Sequence, residues 1–107
     1  MMTLSELKTA LDGTGLPVAY QAFPEDIAPP LPFITYQITS TSNFSADGAV
    51  LQKLSNVQID LFSKQKDLIS EAKIEEALSE AFWDALQIPV EEEKLYRYTY
   101  TTQILGG

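Results

Sequence analysis

The sequence contains no cysteine and no histidine. Without cysteine there is no disulfide framework, no thiolate zinc site and no cysteine nucleophile, which fits a reducing compartment. Without histidine, Ser-His-Asp arrangements, the HExxH metal-binding helix and the commonest general base of enzymes are also excluded. We therefore predict a protein that is not an enzyme and that binds no metal and no cofactor.

Cations are scarce, with seven Lys and Arg against fifteen Asp and Glu, for a formal net charge of −8. A surface of this charge repels phosphate backbones and disfavours binding through counterion release. Lys64 and Lys66 come closest to a basic patch, but Asp60 and Asp67 flank them. We expect no tight binding of nucleic acid.

Long apolar runs are also missing, since none approaches the ~18 residues of a membrane span, and no secretory signal opens the chain. The 107 residues, 45% hydrophobic and 21% charged, suit one globular domain with a real core. These features predict a single soluble domain over residues 1–107, in the cytoplasm.

Three local patterns predict the first helix and the strands: a helix cap, the alternation of apolar and polar residues, and a run of prolines. Thr3 followed by Glu6 matches a capping box, so a short helix begins there and ends before Gly13. Four prolines make a stiff loop between the first two strands. Alternation of apolar and polar residues favours the strands. The predicted strands span residues 18–23, 33–39, 54–63 and 93–104.

Helical spacing predicts a long second helix over residues 68–86, with Asp67 as its N-cap. Its core face includes Phe82, and Trp83 lies one position off that face. The order α-β-β-β-α-β predicts an α+β fold. It is a two-layer sandwich, with an antiparallel four-stranded sheet covered on one face by two helices.

The segment Thr39–Gln52 holds the densest cluster of small polar residues in the chain. A calcium site at Ser45 and Asp47 lacks the spacing of an EF-hand loop. A plain connection with Asp47 and Gly48 as its turn is the simplest interpretation. A third is that Phe44 anchors a partner, and packing of Phe44 onto its own sheet stays equally open.

Two other patterns have simple explanations. Glu91–Glu93 with Asp84 resemble paired catalytic carboxylates, but consecutive residues point in different directions, and a solvated turn accounts for them. Tyr96, Tyr98 and Tyr100 alternate on the last strand, where cross-strand packing is favoured over stacking on bases.

Taken together, several segments resemble the small tail-completion proteins of long-tailed bacteriophages and prophages, which are similar to tail terminators. The resemblance covers nearly the whole chain and is carried by "LSELKTALDGTGLPVAYQAF", "PPLPFITYQ", "NFSADG", "VQIDLFSKQKD" and "EEEKLYRYTYTTQI". It implies an α+β subunit of a ring, usually hexameric, at the head-proximal end of the tail tube. Similar folds serve as head-tail stoppers and other neck rings.

That resemblance also implies partners and a location. The ring would contact tail-tube protein and head-tail connector proteins, would assemble in the host cytoplasm and would stay in the tail or neck of the virion. DNA would pass through it, and an acidic lining would let the duplex slide. We expect the assembly interface to include one loop and two aromatic residues. The candidates are Asn43, Phe44, Ser45, Asp47, Gly48, Phe62 and Trp83.

The alternative is a small acidic, non-enzymatic binding module or regulator that engages a single host or phage protein. The two hypotheses differ in stoichiometry. A ring former makes heterologous contacts with its own copies, whereas a regulator stays monomeric or forms a two-fold dimer.

Overall fold

The computed structural model describes residues 1–24, 29–46, 48–79, 81–90 and 95–106. Within these residues the chain forms two helices and seven strands. In chain order they are α1 (Leu4–Asp12), β1 (Val18–Tyr20), β2 (Phe33–Thr41), β3 (Phe44–Ala46), β4 (Ala49–Gln52), β5 (Leu54–Ser63), α2 (Leu68–Ala77), β6 (Trp83–Val90) and β7 (Leu95–Leu105).

Five of the strands form one sheet in the order β1-β2-β5-β7-β6. The two helices pack on one of its faces, where Leu7 and Leu11 of α1 and Ile74 of α2 meet Ile59 at the middle of β5 and Tyr100 of β7. All five side chains are fully buried. The predicted α+β sandwich with both helices on one face is therefore confirmed in outline.

The prediction of four antiparallel strands is wrong in detail. The sheet has five strands and is mixed, because β1 runs parallel to β2 while the other neighbours are antiparallel. A parallel pair needs a connection of about a dozen residues or more. The proline-containing segment 21–32 supplies that length, so it carries the chain back to the start of β2.

The second helix is much shorter than predicted. It ends at Ala77, and Trp83–Val90 forms the strand β6 against β7. Trp83, Ile88 and Val90 are of types that favour strands, and Pro89 is tolerated because a free sheet edge needs no N–H from it. Phe82, expected in the core, is therefore 97% exposed.

The segment Thr39–Gln52 is more ordered than a plain connection. After β2, the strands β3 and β4 pair as a separate two-stranded sheet, and residues 42–53 are called the hairpin arm below. A bulge falls in β2 between Ile38 and Ser40.

The molecule measures 50 × 26 × 24 Å, and its radius of gyration is 14.8 Å. A compact domain of this length has about 13 Å.

A polar cluster lies between α2 and the sheet. Glu71 is buried and pairs with Lys66 at 3.0 Å. The Tyr100 hydroxyl donates to Glu75 Oε2 at 3.0 Å, and the Lys66 ammonium lies 4.2 Å from the centre of the Tyr98 ring. Burial, followed by the hydrogen bond to Glu75, raises the pKa of Tyr100 far above its usual range. These contacts fix α2 on β7.

Asp67 caps α2 as predicted, and the stability that this cap contributes depends on pH. Its carboxylate accepts hydrogen bonds from the Ser70 N–H at 3.0 Å and the Ser70 hydroxyl at 2.8 Å, which lower the pKa of Asp67 below 3.8. The stabilisation is thus present above that value and is lost as the pH falls through the folded-state pKa. Asp67→Ala should reduce the free energy of unfolding by about 1 kcal/mol at neutral pH.

Urea unfolding at neutral pH and at about pH 2.5 measures this effect, since the difference between wild type and Asp67→Ala should shrink on acidification. Asp67→Asn is the matched control, because its neutral amide oxygen caps the helix at both pH values. A gap between wild type and Asp67→Ala that is unchanged at acid pH would show that the charge contributes nothing.

Candidate assembly surface

The hairpin arm contains most of the sequence-predicted interface residues. Asn43 is exposed before β3, and Gly48 is exposed at the turn with φ of +75°, a conformation that favours glycine. Phe44 and Ser45 lie in β3, opposite Gln52 and Val50. Asp47 lies outside the described residues. The structure thus places four of the five predicted loop residues on one protruding hairpin.

The base of the arm is held by a hydrogen-bonded asparagine. Asn56 of β5 donates through Nδ2 to the hydroxyls of Ser40 and Ser42, at 2.9 and 3.0 Å. Its Oδ1 accepts from Gln103 Nε2 of β7 at 3.0 Å, and the Ser42 N–H donates to the Leu54 carbonyl at 2.9 Å. The arm therefore leaves the sheet in a defined direction.

Beyond this base the arm is a bare two-stranded ribbon. The pairing runs from Phe44 and Gln52 to Ala46 and Ala49, and no third strand joins it within the described residues. An isolated two-stranded hairpin is marginally stable in water and needs packing against something else. Both outer edges of the arm are therefore without a strand partner in the part of the chain that the structure describes.

A second exposed region is the sheet edge formed by β6. Phe82, Trp83 and Leu86 are 97%, 37% and 63% exposed there. The Trp83 ring contacts Tyr100 edge-on at 5.4 Å, and the Thr102 hydroxyl donates to the Phe82 carbonyl at 2.6 Å. Trp83 thus lies at an exposed edge, as an interface residue requires, although on a strand and not on the predicted helix.

A groove of about 680 Å³ lies near the base of the arm and the start of β6. Thr39 and Asn56 line it on the side of the arm, and Phe82, Trp83 and Asp84 line it on the side of β6. Its walls are more apolar than polar. The arm base and the apolar edge therefore share one end of the sheet.

Phe62 lies on the sheet face away from the helices. It is half-buried in a row of aromatic rings, with Phe33 at 5.2 Å from it and Phe23 at 5.2 Å from Phe33. Phe62 therefore belongs to an aromatic cluster on the outer face, well away from the arm in the register of β5.

The sequence reasoning missed a buried charge cluster on this outer face. Asp60 is 7% exposed, and its carboxylate accepts from the Thr99 hydroxyl at 2.6 Å and from Gln58 Nε2 at 2.9 Å. Arg97 Nε lies 3.8 Å away and is buried without a hydrogen-bond acceptor. Asp60 therefore links β5 and β7 on the outer face.

Another apolar pair lies at the opposite end of the molecule. Leu68 and Ile69, in the first turn of α2, are 68% and 73% exposed. The α2 helix follows the end of β5 at Ser63, which pairs with Tyr96, whereas Trp83 pairs with Thr102 at the far end of β7. The two exposed apolar sites are thus distinct surfaces.

In the part of the chain that the structure describes, neither helix has the length and apolar character needed to cross a membrane. In the same residues, no three acidic side chains come together in a way that could hold a metal ion.

No protein-family model matches the sequence, and no curated protein matches it either. Among solved structures, the chain is similar to one in a structure described as the virion of a native gene transfer agent particle, with a TM-score of 0.55 and 12% sequence identity. The match covers 94% of this chain and 84% of the other. At this identity the similarity establishes a shared fold.

Proposed function

We propose that this protein is a structural component of a phage-like virion and acts by assembling with copies of itself, without catalysis. The observation that carries the proposal is the shared fold with a chain of a gene transfer agent virion over 94% of the sequence. The exposed hairpin arm, which lacks a partner strand within the described residues, supports it independently. The resemblance of the sequence to tail-completion proteins agrees with both.

The specific role we propose is a ring at the head-proximal end of the tail, which completes the tail and joins it to the head. Its partners would be its own copies, the tail-tube protein and the head-tail connector proteins. Assembly would take place in the host cytoplasm. A heterologous contact closes into a ring when its rotation divides a full turn, and six copies are the size that the family resemblance favours.

The charge of the chain supports a channel through which DNA moves. With a net charge of −8, a lining of the ring would repel the duplex and let it slide without sticking. We expect weak binding of linear duplex DNA that changes little between about 50 and 200 mM salt. Fluorescence anisotropy with a labelled duplex measures it, and tight binding that collapses with added salt would contradict the channel.

Light scattering after size-exclusion chromatography, over a concentration series, tests the proposed function. The expected species has about six times the monomer mass and shows a central hole by negative-stain microscopy. Where the free protein elutes as a monomer, the series is repeated with purified tail-tube protein. A monomer under all these conditions would refute the ring and support the single-partner binding module.

A further inference from the structure

We propose that the exposed edge of β6, with Phe82 and Leu86, receives the hairpin arm of a second copy of this chain. This inference rests on the proposed self-assembly and names the two surfaces that would meet. The arm of one copy would add to the sheet of the next, and the sheet would continue from subunit to subunit.

The backbone of β6 is suited to such pairing. It is the last strand of the sheet, so one edge of its eight residues has no strand partner within the described part of the chain. At about 3.3 Å per residue it offers roughly 26 Å of edge. Proteins normally block a long free edge with charges or proline. Here Ala85–Ile88 carries no charge, and Pro89 comes only near its end.

The side chains of this edge are also suited to a protein partner. Phe82 and Leu86 together expose on the order of 300 Å² of apolar surface, since they are 97% and 63% exposed and one aromatic side chain presents roughly 150–250 Å². Contiguous apolar patches of a few hundred Å² mark interaction sites on soluble proteins. A stable interface buries about 800 Å² per partner, so these side chains supply roughly a third and a paired strand would supply much of the rest.

The charge of the chain is compatible with the arm as the occupant. Fifteen acidic residues against seven basic ones make most contacts between two copies repulsive. The segment Thr39–Gln52 contains a single charged residue, Asp47, and Trp83–Val90 contains only Asp84. These two stretches can therefore approach one another with little repulsion, and both are extended chain with free strand edges.

The strand order favours an arm that comes from another copy. The arm leaves the sheet between β2 and β5, and β7 separates β5 from β6. The other sheet edge, β1, has only three residues, too few to hold the arm equally well. Because the donor and acceptor surfaces differ, the contact is heterologous, which is the type that produces rings.

Substitution of the edge gives the first test. Phe82→Ser with Leu86→Ser keeps the net charge and should leave the fold intact, because both side chains are largely exposed. We expect self-association to weaken at least tenfold, as for loss of central apolar contacts. Leu68→Ser with Ile69→Ser is the matched control at the opposite end, and its association should match wild type.

Cysteine pairing gives the second test, since the chain has no cysteine of its own. A mixture of Ala49→Cys, on the arm, and Ala85→Cys, on the edge, should form a disulfide-linked heterodimer under mild oxidation. Ala49→Cys mixed with Lys73→Cys, on the exposed side of α2, should not. Preferential linkage of Ala49→Cys to itself would indicate an isologous arm contact and overturn the inference.

The outcomes separate the two proposals. Rings that persist in the Phe82→Ser/Leu86→Ser variant, with no linkage between positions 49 and 85, overturn the arm-to-edge contact and leave the ring in place. A wild-type protein that stays monomeric even with tail-tube protein, and gives no linkage, overturns both.

Discussion

Deleting residues 43–48 is expected to give a folded monomer that no longer forms rings. The deletion removes β3 and the turn of the arm, but none of the five strands of the main sheet. The arm base keeps its hydrogen bonds from Asn56 to Ser40 and Ser42. Circular dichroism and thermal unfolding check the fold, and light scattering checks the mass.

A matched variant separates the contribution of the side chains from that of chain length. Replacing residues 43–48 with a glycine-serine segment of equal length keeps the reach of the loop and removes Phe44. We expect it to behave like the deletion, because the paired strand and the aromatic anchor are both lost. Rings that persist unchanged in the deletion variant would show that the arm has no part in assembly.

Asp60→Ala is expected to reduce the free energy of unfolding by about 2–3 kcal/mol. The Thr99 hydroxyl and the Gln58 amide lose their acceptor, and the buried Arg97 Nε loses the carboxylate that lies 3.8 Å from it. The expected loss lies below that of a fully buried pair, because the Arg97 side chain is one-third exposed and solvent screens it. Urea unfolding monitored by fluorescence measures the change.

A double-mutant cycle separates the ion pair from the hydrogen bonds. Combining Asp60→Ala with Arg97→Ala removes both charges, so it should cost less than the sum of the two single substitutions. Asp60→Asn, which keeps an acceptor for Thr99, should fall between wild type and Asp60→Ala. A cost below about 0.5 kcal/mol for Asp60→Ala would place the cluster among ordinary surface contacts.

Local signals in the sequence predicted the elements that depend on local contacts. The capping box at Thr3 and Glu6 is present, with hydrogen bonds of 3.2 and 3.3 Å between them. The alternating pattern of β7 puts Tyr98 and Tyr100 on one face, as predicted, and in the structure the helices cover that face. In both cases the neighbours that decide the structure lie within a few residues or on the same strand.

The length of the second helix was mispredicted because the residues after Ala77 pair with a strand that is distant in the sequence. The stretch from Ala81 to Leu86 continues the helical spacing of α2, so periodicity alone extends the helix. In the structure, Leu78 closes the helix, and β6 gains a full ladder of pairs with β7 from Trp83 to Val90. A tertiary contact of this kind overrides local propensity.

In the candidate site, too, the sequence predicted the local features but not those that depend on distant contacts. Composition marked the Thr39–Gln52 segment and its turn at Gly48, but not the pairing of β3 with β4 or the apolar edge of β6. The Asp60–Arg97 cluster was missed because it depends on the register of β5 against β7, where a shift of one residue moves every side chain to the other face. One signal in the sequence could have predicted the cluster: Asp60 and Arg97 each lie in a predicted strand, on the face opposite the apolar residues.

Trp83 is the single tryptophan of the chain. It lies at the edge where we propose that the arm docks, partly open to water and in edge-on contact with Tyr100. Its emission therefore reports on the solvent at one defined place, with no label and no substitution. Unfolding would shift the emission to the red, and covering of the edge by another copy would shift it to the blue. One optical signal thus distinguishes loss of fold from gain of assembly, in real time and at concentrations too low for imaging.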